Sequence, residues 1–341
     1  MRGIDRGAYE NFASMCELDY PDYEIVFAVA DHNDPAAALI GRLKRQFPKT
    51  SIRLITGIEQ LGSSHKTNSL CRLVREARND FLVFNDSDVR VEKNYLRYVV
   101  SPFRDPRVGA VTALFRSDTD GSFAADLDAV GIPVEAAART IVAWQFHQLD
   151  FALGWTMATS KRCLAQIGGF EALRDMHSDD FALGNELAKK GYRIELIRKP
   201  VWMVFPRETL REFLGHELRW SIQLKNLRPL GYMGMFLTFG FAWTVLVALL
   251  APSWKLAVVY LAAYVVLRFE VAWEIAVRGL RDPTVRRRPW LVFVRDAVQF
   301  ALYVASFFSD SVIWRGTRYT LYGPFFKPVG SARGRAAARQ V

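Results

Sequence analysis

Apolar positions in the first third of the chain fall into short runs separated by helical stretches. EIVFAVAD, residues 24–31, has the unbroken apolar run of a buried strand, and HNDP after it offers Asn33 or Asp34 as a helix cap with Pro35 in the first turn. SIRLIT, residues 51–56, is the next strand, and residues 66–78 have the periodicity of an amphipathic helix. Residues 81–84 form a strand that runs directly into Asn85, Asp86, Ser87 and Asp88, and residues 108–115 continue the series. This alternation predicts an α/β layered domain with a mainly parallel sheet, where ligands sit at the carboxyl ends of strands. Asp31 and the Asp86/Asp88 pair stand at such ends.

Past about residue 229 the pattern changes. Residues 231–251 carry no charged side chain, a length of about 21 residues that suffices to cross a hydrocarbon layer of roughly 30 Å. A second span is expected over 255–277, apolar to Leu267 and then interrupted by Arg268, Glu270 and Glu274, whose charges should face protein or interface. The shorter apolar run within 290–313 is bracketed by Arg295, Asp296 and Asp310 and suits an interfacial or re-entrant helix. The expected division is a globular part (1–228), a membrane region (229–326) and a basic tail (327–341). The loop VRGLRDPTVRRRP between the second and third apolar segments is strongly basic, which places it, with the globular part, on the cytoplasmic side. The first residues, MRGIDRGAYENF, contain no apolar core of signal-peptide length.

The net charge of +10 allows nucleic acid, anionic lipid or an anionic substrate as partner. Arginines crowd beside the apolar segments and no nucleic-acid recognition module is visible, so the charge is read as membrane topology and lipid headgroups, with no nucleic acid. Three cysteines without metal-type spacing give neither a disulfide framework nor a structural zinc site.

Two carboxylates one residue apart after a strand, Asp86 and Asp88, can share a hard divalent cation that accepts phosphate oxygens; an Asx turn is the plainer alternative. Asp31 is a cap or a ligand. In GSSHKTN, residues 62–68, Lys66 and Asn68 stand at a helix start, where Lys66 could meet a phosphate or simply be solvated. Asp179 and Asp180 open another helix, as caps or as a general base. His216, Arg219 and Trp220 lie on an amphipathic helix just before the apolar region, where Arg219 could fork a phosphate and Trp220 could anchor at an interface. Trp144, Phe146, Phe151 and Trp155 form an aromatic stretch that suits core packing or a flat acceptor, and His147 within it joins the expected substrate contacts.

In order, ELDYPDYE, DHNDPA, LGSSHKTNSL, FNDSDVRV, SDDFALGNELAKKGYR, HELRW and SDSVIWRGTRYTL resemble the ceramide glucosyltransferase family, inverting lipid glycosyltransferases of the GT-A fold. The resemblance implies a Rossmann-like nucleotide-sugar domain with a C-terminal α-helical membrane region. It implies Asp31 for the nucleotide, Asp86 and Asp88 for a Mg²⁺- or Mn²⁺-bound diphosphate, Asp179 as base, and a signature falling on His216, Arg219 and Trp220. The partners are then a UDP-sugar donor and a membrane lipid acceptor of ceramide or hopanoid type, at a bacterial inner membrane. A processive polysaccharide synthase shares these motifs, but with more membrane helices; a silent lipid-binding relative would keep the fold without the transfer. Two departures stand out. His216 replaces the usual glutamine or arginine, and the membrane helix and first strand with which the family begins are not visible before Tyr9.

Overall fold

The computed structural model describes residues 3–29, 31–146, 149–314 and 317–328. Contacts divide the chain into two units, Met1–Asp120 with Glu135–Arg207, and Gly121–Val134 with Glu208–Val341. The boundary after Arg207 assigns the helix Leu210–Leu227 to the second unit.

In the first unit, β1 (Glu24–Val29) and β2 (Ser51–Thr56) pair in parallel, in register from Glu24 with Ser51 to Val29 with Thr56. The helix Pro35–Gln46 connects them, capped by Asp34, whose side chain accepts from the Ala36 amide, with Pro35 in the first turn. Phe12, Phe27, Ile40, Leu43 and Ile52 form the core over this pair. A separate sheet holds β3 (Phe81–Asn85), β4 (Val89–Arg90), β5 (Val108–Asp118), β6 (Thr156–Ser160) and β7 (Arg193–Val204), in the order β3-β6-β5-β7-β4. Only β5 and β7 run parallel there; β3–β6, β5–β6 and β4–β7 are antiparallel. The expectation of a mainly parallel sheet is corrected to a mixed one. Its causes are β6, which enters between β3 and β5 in the opposite direction, and the short β4, which pairs antiparallel with β7.

Gly184, in the helix Asp179–Lys189, shows how closely that helix approaches its neighbour. A Cβ there would lie 2.4 Å from the Phe151 Cα, so only glycine allows the contact.

In the second unit the helix Phe123–Gly131 is almost wholly buried, and Leu127, Val130 and Val134 join Phe213, Ala272, Ala276, Val285, Leu291 and Val292 in one core. A three-stranded antiparallel sheet follows, β8 (Ser311–Trp314), β9 (Thr317–Tyr322) and β10 (Phe325–Pro328), and Val312, Tyr319 and Leu321 pack on Ile222.

The first apolar segment is not one straight helix. Pro229–Thr238 and Gly240–Leu250 are bent by 50° at Phe239, which leaves the helical region at ψ 78° and is flanked by Gly240. Among the described residues, Trp254–Gly279 is the one straight run long and apolar enough to cross a membrane, 26 residues or about 39 Å. Its Arg268 faces protein, pairing with Asp296 at 2.7 Å and donating to the Val134 carbonyl, while Glu270 and Glu274 are exposed. The helix Leu291–Ser306 buries Arg295 along with Leu291, Val292, Leu302 and Tyr303.

Candidate active site

Three segments of the first unit bring carboxylates around one ammonium group. The turn between β3 and β4 carries Asp86 and Asp88, and it is fixed by backbone bonds from Val89 to Asp86 and from Val204 to Asp88, with Asn11 donating to the Ser87 carbonyl. Asn85, just before it, donates to Tyr95 and Thr156 and so anchors the end of β3 to β6. The second segment is the helix His65–Glu76, capped by Ser64, with Lys66 in its first turn. Lys66 Nζ lies 3.0 Å from Asp86 Oδ1 and 3.5 Å from Asp179 Oδ2, and it donates to the Gly154 carbonyl at 3.4 Å. The third segment is the start of the helix Asp179–Lys189.

Asp179 and Asp180 divide the work at that helix start. Asp180 Oδ1 accepts from Ser178 Oγ at 2.6 Å and from the Phe181 amide at 2.8 Å, local ties within the first turn. Asp179 is buried and meets Lys66 instead. Gly154 forms the floor, because a Cβ there would come within 2.9 Å of Asp180 Oδ2 and 3.4 Å of Lys66 Nζ. Nothing in the sequence pattern around Gly154 announced this role.

Burial alone would discharge Lys66, but the carboxylates of Asp179 and Asp86 outweigh it and hold the ammonium well above its ordinary pKa. Burial pushes the Asp179 carboxyl up to about 6, against the pull of Lys66 and with Asp180 and Asp86 adding to the rise. Burial, then repulsion by Asp86, pushes Asp88 up to about 7. Asp88 Oδ1 is buried with no hydrogen-bond partner among the described residues, whereas the Asp86 side chain is 41 % exposed. Two hard oxygen donors one residue apart, one of them lacking any proton donor, fit a divalent cation of the Mg²⁺ or Mn²⁺ class.

Asp31 is exposed at the end of β1, and its Oδ1 accepts from the Asn33 amide. Asn68 is buried and its amide is engaged by Gly62, accepting from the Gly62 N–H and donating to its carbonyl. That places Asn68 as a tie across the loop rather than an open ligand. His147 lies outside the described residues.

The second unit carries His216, Arg219 and Trp220 on the helix Leu210–Leu227. The rings of His216 and Trp220 are 4.1 Å apart, and the Trp220 ring remains partly exposed. Burial draws the Arg219 pKa down, with Glu217 opposing. Two further acids, Asp128 and Glu208, stand in this neighbourhood: His216 Nδ1 is 3.6 Å from Asp128 Oδ2, and burial followed by the charge of Asp128 pushes Glu208 up to about 8. Neither is legible in the sequence, since Asp128 sits in an apolar helix about 90 residues upstream of His216.

Over 220 residues the chain is 23 % identical to ceramide glucosyltransferase 3 of Caenorhabditis elegans, covering 64 % of this chain and 48 % of that protein. It is 25 % identical over 220 residues to a poly-β-1,6-N-acetyl-D-glucosamine synthase of Staphylococcus aureus (strain COL), covering 62 % of this chain and 50 % of that protein. The chain thus spans about half the length of the curated relatives it matches. Among solved structures, a mannosyltransferase from Pyrobaculum calidifontis in complex with GDP-Man and Mn²⁺ matches with a TM-score of 0.53 at 20 % identity, over 90 % of this chain and 85 % of that one. The shared fold is GT-A, with the mixed sheet described above. Residues 1–323 match a single family over nearly the whole chain, and the protein belongs to glycosyl transferase family 21.

Proposed function

We propose that this protein transfers a hexose, glucose or an N-acetylhexosamine, from a UDP-sugar to a hydroxyl of a membrane lipid, ceramide-like or hopanoid, with inversion at the anomeric carbon. The observation that carries the reading is the Lys66 bridge: one ammonium joins the exposed carboxylate of Asp86 to the buried carboxylate of Asp179. An inverting transfer needs an activated leaving group on one side of the anomeric carbon and a proton acceptor on the other. Asp86 and Asp88 would hold Mg²⁺ or Mn²⁺, which when bound supplies positive charge to the departing diphosphate. Lys66 adds a fixed charge on the same side. Asp179 is the carboxylate left over for the acceptor hydroxyl, and a pKa of about 6 suits a base working near neutrality. Asp31, exposed beyond β1, would meet the nucleotide. Arg219 would pair with phosphate through its fork, and the partly exposed Trp220 would face the lipid. The lipid acceptor rests on family membership and on the apolar run Trp254–Gly279.

The test is to incubate membranes containing the protein with labelled UDP-sugars and total lipid, and to identify products by mass spectrometry. A lipid bearing one added hexose is expected. A polymer would favour the synthase reading, and no sugar-bearing product with any donor would sink both.

Asp88→Ala should weaken UDP-sugar binding in Mn²⁺ by at least the roughly 10–100-fold that loss of an outer-sphere partner costs a metal site. Calorimetric titration reads this directly, and equal affinity in variant and parent would remove Asp88 from the cation. For topology, Arg286 is exposed in the basic loop and all three native cysteines are buried, so Arg286→Cys gives one reactive thiol. It should resist a membrane-impermeant thiol reagent in intact cells and react after lysis. Labelling of intact cells would place the loop outside.

A further inference from the structure

We propose that the second unit holds its own divalent transition-metal site, of the zinc class, built from Asp128, His216 and Glu217. One ligand atom from each of Asp128, His216 and Glu217 lies within 4.8 Å of the other two. Two of these carboxylates are nearly inaccessible, Asp128 at 7 % and Glu217 at 3 % exposure, in a place reached by an imidazole. The donor set separates this cluster from Asp86 and Asp88. An all-oxygen pair suits a hard cation, whereas an imidazole nitrogen with carboxylate oxygens suits zinc and its first-row neighbours.

One distance points to a shared ion rather than to a direct pair. His216 Nδ1 and Asp128 Oδ2 face each other at 3.6 Å, longer than a hydrogen bond. Ligands about 2.0–2.2 Å from a tetrahedral ion are about 3.4 Å apart, so the gap is close to that across a shared metal. Arg295 pairs with Glu217 and so fixes that carboxylate from the outer side, as supporting residues do around metals. The site's place in the fold explains its components: it ties the helix Phe123–Gly131 to the helix Leu210–Leu227, which are distant in sequence.

The test uses zinc alone and the full chain in detergent, in a background where Asp86 and Asp88 are both changed to Asn so that the first site is disabled. After equilibrium dialysis, elemental analysis should find about one zinc per chain in that background. Adding His216→Gln, a change at a partly exposed position, should weaken zinc retention at least about tenfold, and the near-isosteric Asp128→Asn should weaken it as well. Zinc should raise the unfolding temperature of the background protein and leave that of the His216→Gln protein unmoved. The proposal is overturned by the absence of stoichiometric zinc in the background protein. It is equally overturned if both variants, shown folded by circular dichroism, retain zinc like the background. Neither result bears on the Asp86–Lys66–Asp179 cluster, which lies in the first unit.

Discussion

Asp179→Asn is expected to lower sugar transfer by roughly 10²–10⁴-fold, the usual worth of a positioned base, while leaving UDP-sugar affinity near that of the parent. The amide keeps the shape of the carboxylate but cannot accept the proton of the attacking hydroxyl. Geometry separates this residue from its neighbour: Asp179 meets Lys66 across the cleft, whereas Asp180 is bound to Ser178 and the Phe181 amide. Asp180→Asn should therefore act mainly on stability, by about 0.5–1.5 kcal/mol as for loss of an ordinary hydrogen bond. The pH profile supplies a second reading. With the Asp179 carboxyl raised to about 6, transfer by the parent should fall as pH drops through that value and the base takes up a proton. The Asn variant should lack this limb. If Asp180→Asn abolishes transfer and Asp179→Asn spares it, the base has been assigned to the wrong residue.

Arg295→Leu should destabilise the second unit by about 3–5 kcal/mol. Arg295 and Glu217 are paired with side chains only 3 % and 4 % exposed, and the guanidinium also lies over the Phe213 ring at 5.3 Å. Gly131 makes room for it, since a Cβ there would come 2.6 Å from the guanidinium. Removing the cation leaves a buried carboxylate without its partner, which costs far more than the pair contributes. The sharper check is the double change Arg295→Met with Glu217→Met, which removes both charges and should recover most of the loss. Thermal unfolding in detergent compares the three proteins; a single variant as stable as the parent would show that the Glu217 carboxylate is hydrated or protonated at no cost.

The sequence pattern exposed β1, β2, β3 and β5 because each is an apolar run ended by polar residues. It concealed β6, Thr156–Ser160, whose TMATS reads as a polar loop. Those hydroxyls are buried because the backbone satisfies them: Thr159 donates to the Gly109 carbonyl at 2.7 Å, and the neighbouring Thr112 donates to the Thr156 carbonyl at 2.8 Å. Missing β6 and the two-residue β4 is what made the sheet look parallel. At the site, the acid motifs were legible as local patterns, and Asp34 was legible as a cap. What no local pattern contains is the convergence of Lys66 on both Asp86 and Asp179, 20 and 113 positions away, or the use of Asn68 to close its own loop. The bend at Phe239 was equally hidden, since hydropathy sums over a window and is blind to one residue leaving the helical region.

The excursion of residues 121–134 into the second unit sets an order of events during synthesis. Asp126, wholly buried in the finished fold, is neutralised by Arg287, which leaves the ribosome 161 residues later. At about 5–20 residues per second that delay is roughly 8–30 s. Until Phe213 and His216 emerge the helix Phe123–Gly131 has neither its apolar face covered nor Asp128 met, and Asp126 waits through the whole interval. The first unit, whose own last strand β7 ends at Val204, can close before that helix has anywhere to go. A segment left waiting in this way is where a chaperone or the membrane insertion machinery would meet the nascent chain, and where slowed translation would do the most harm.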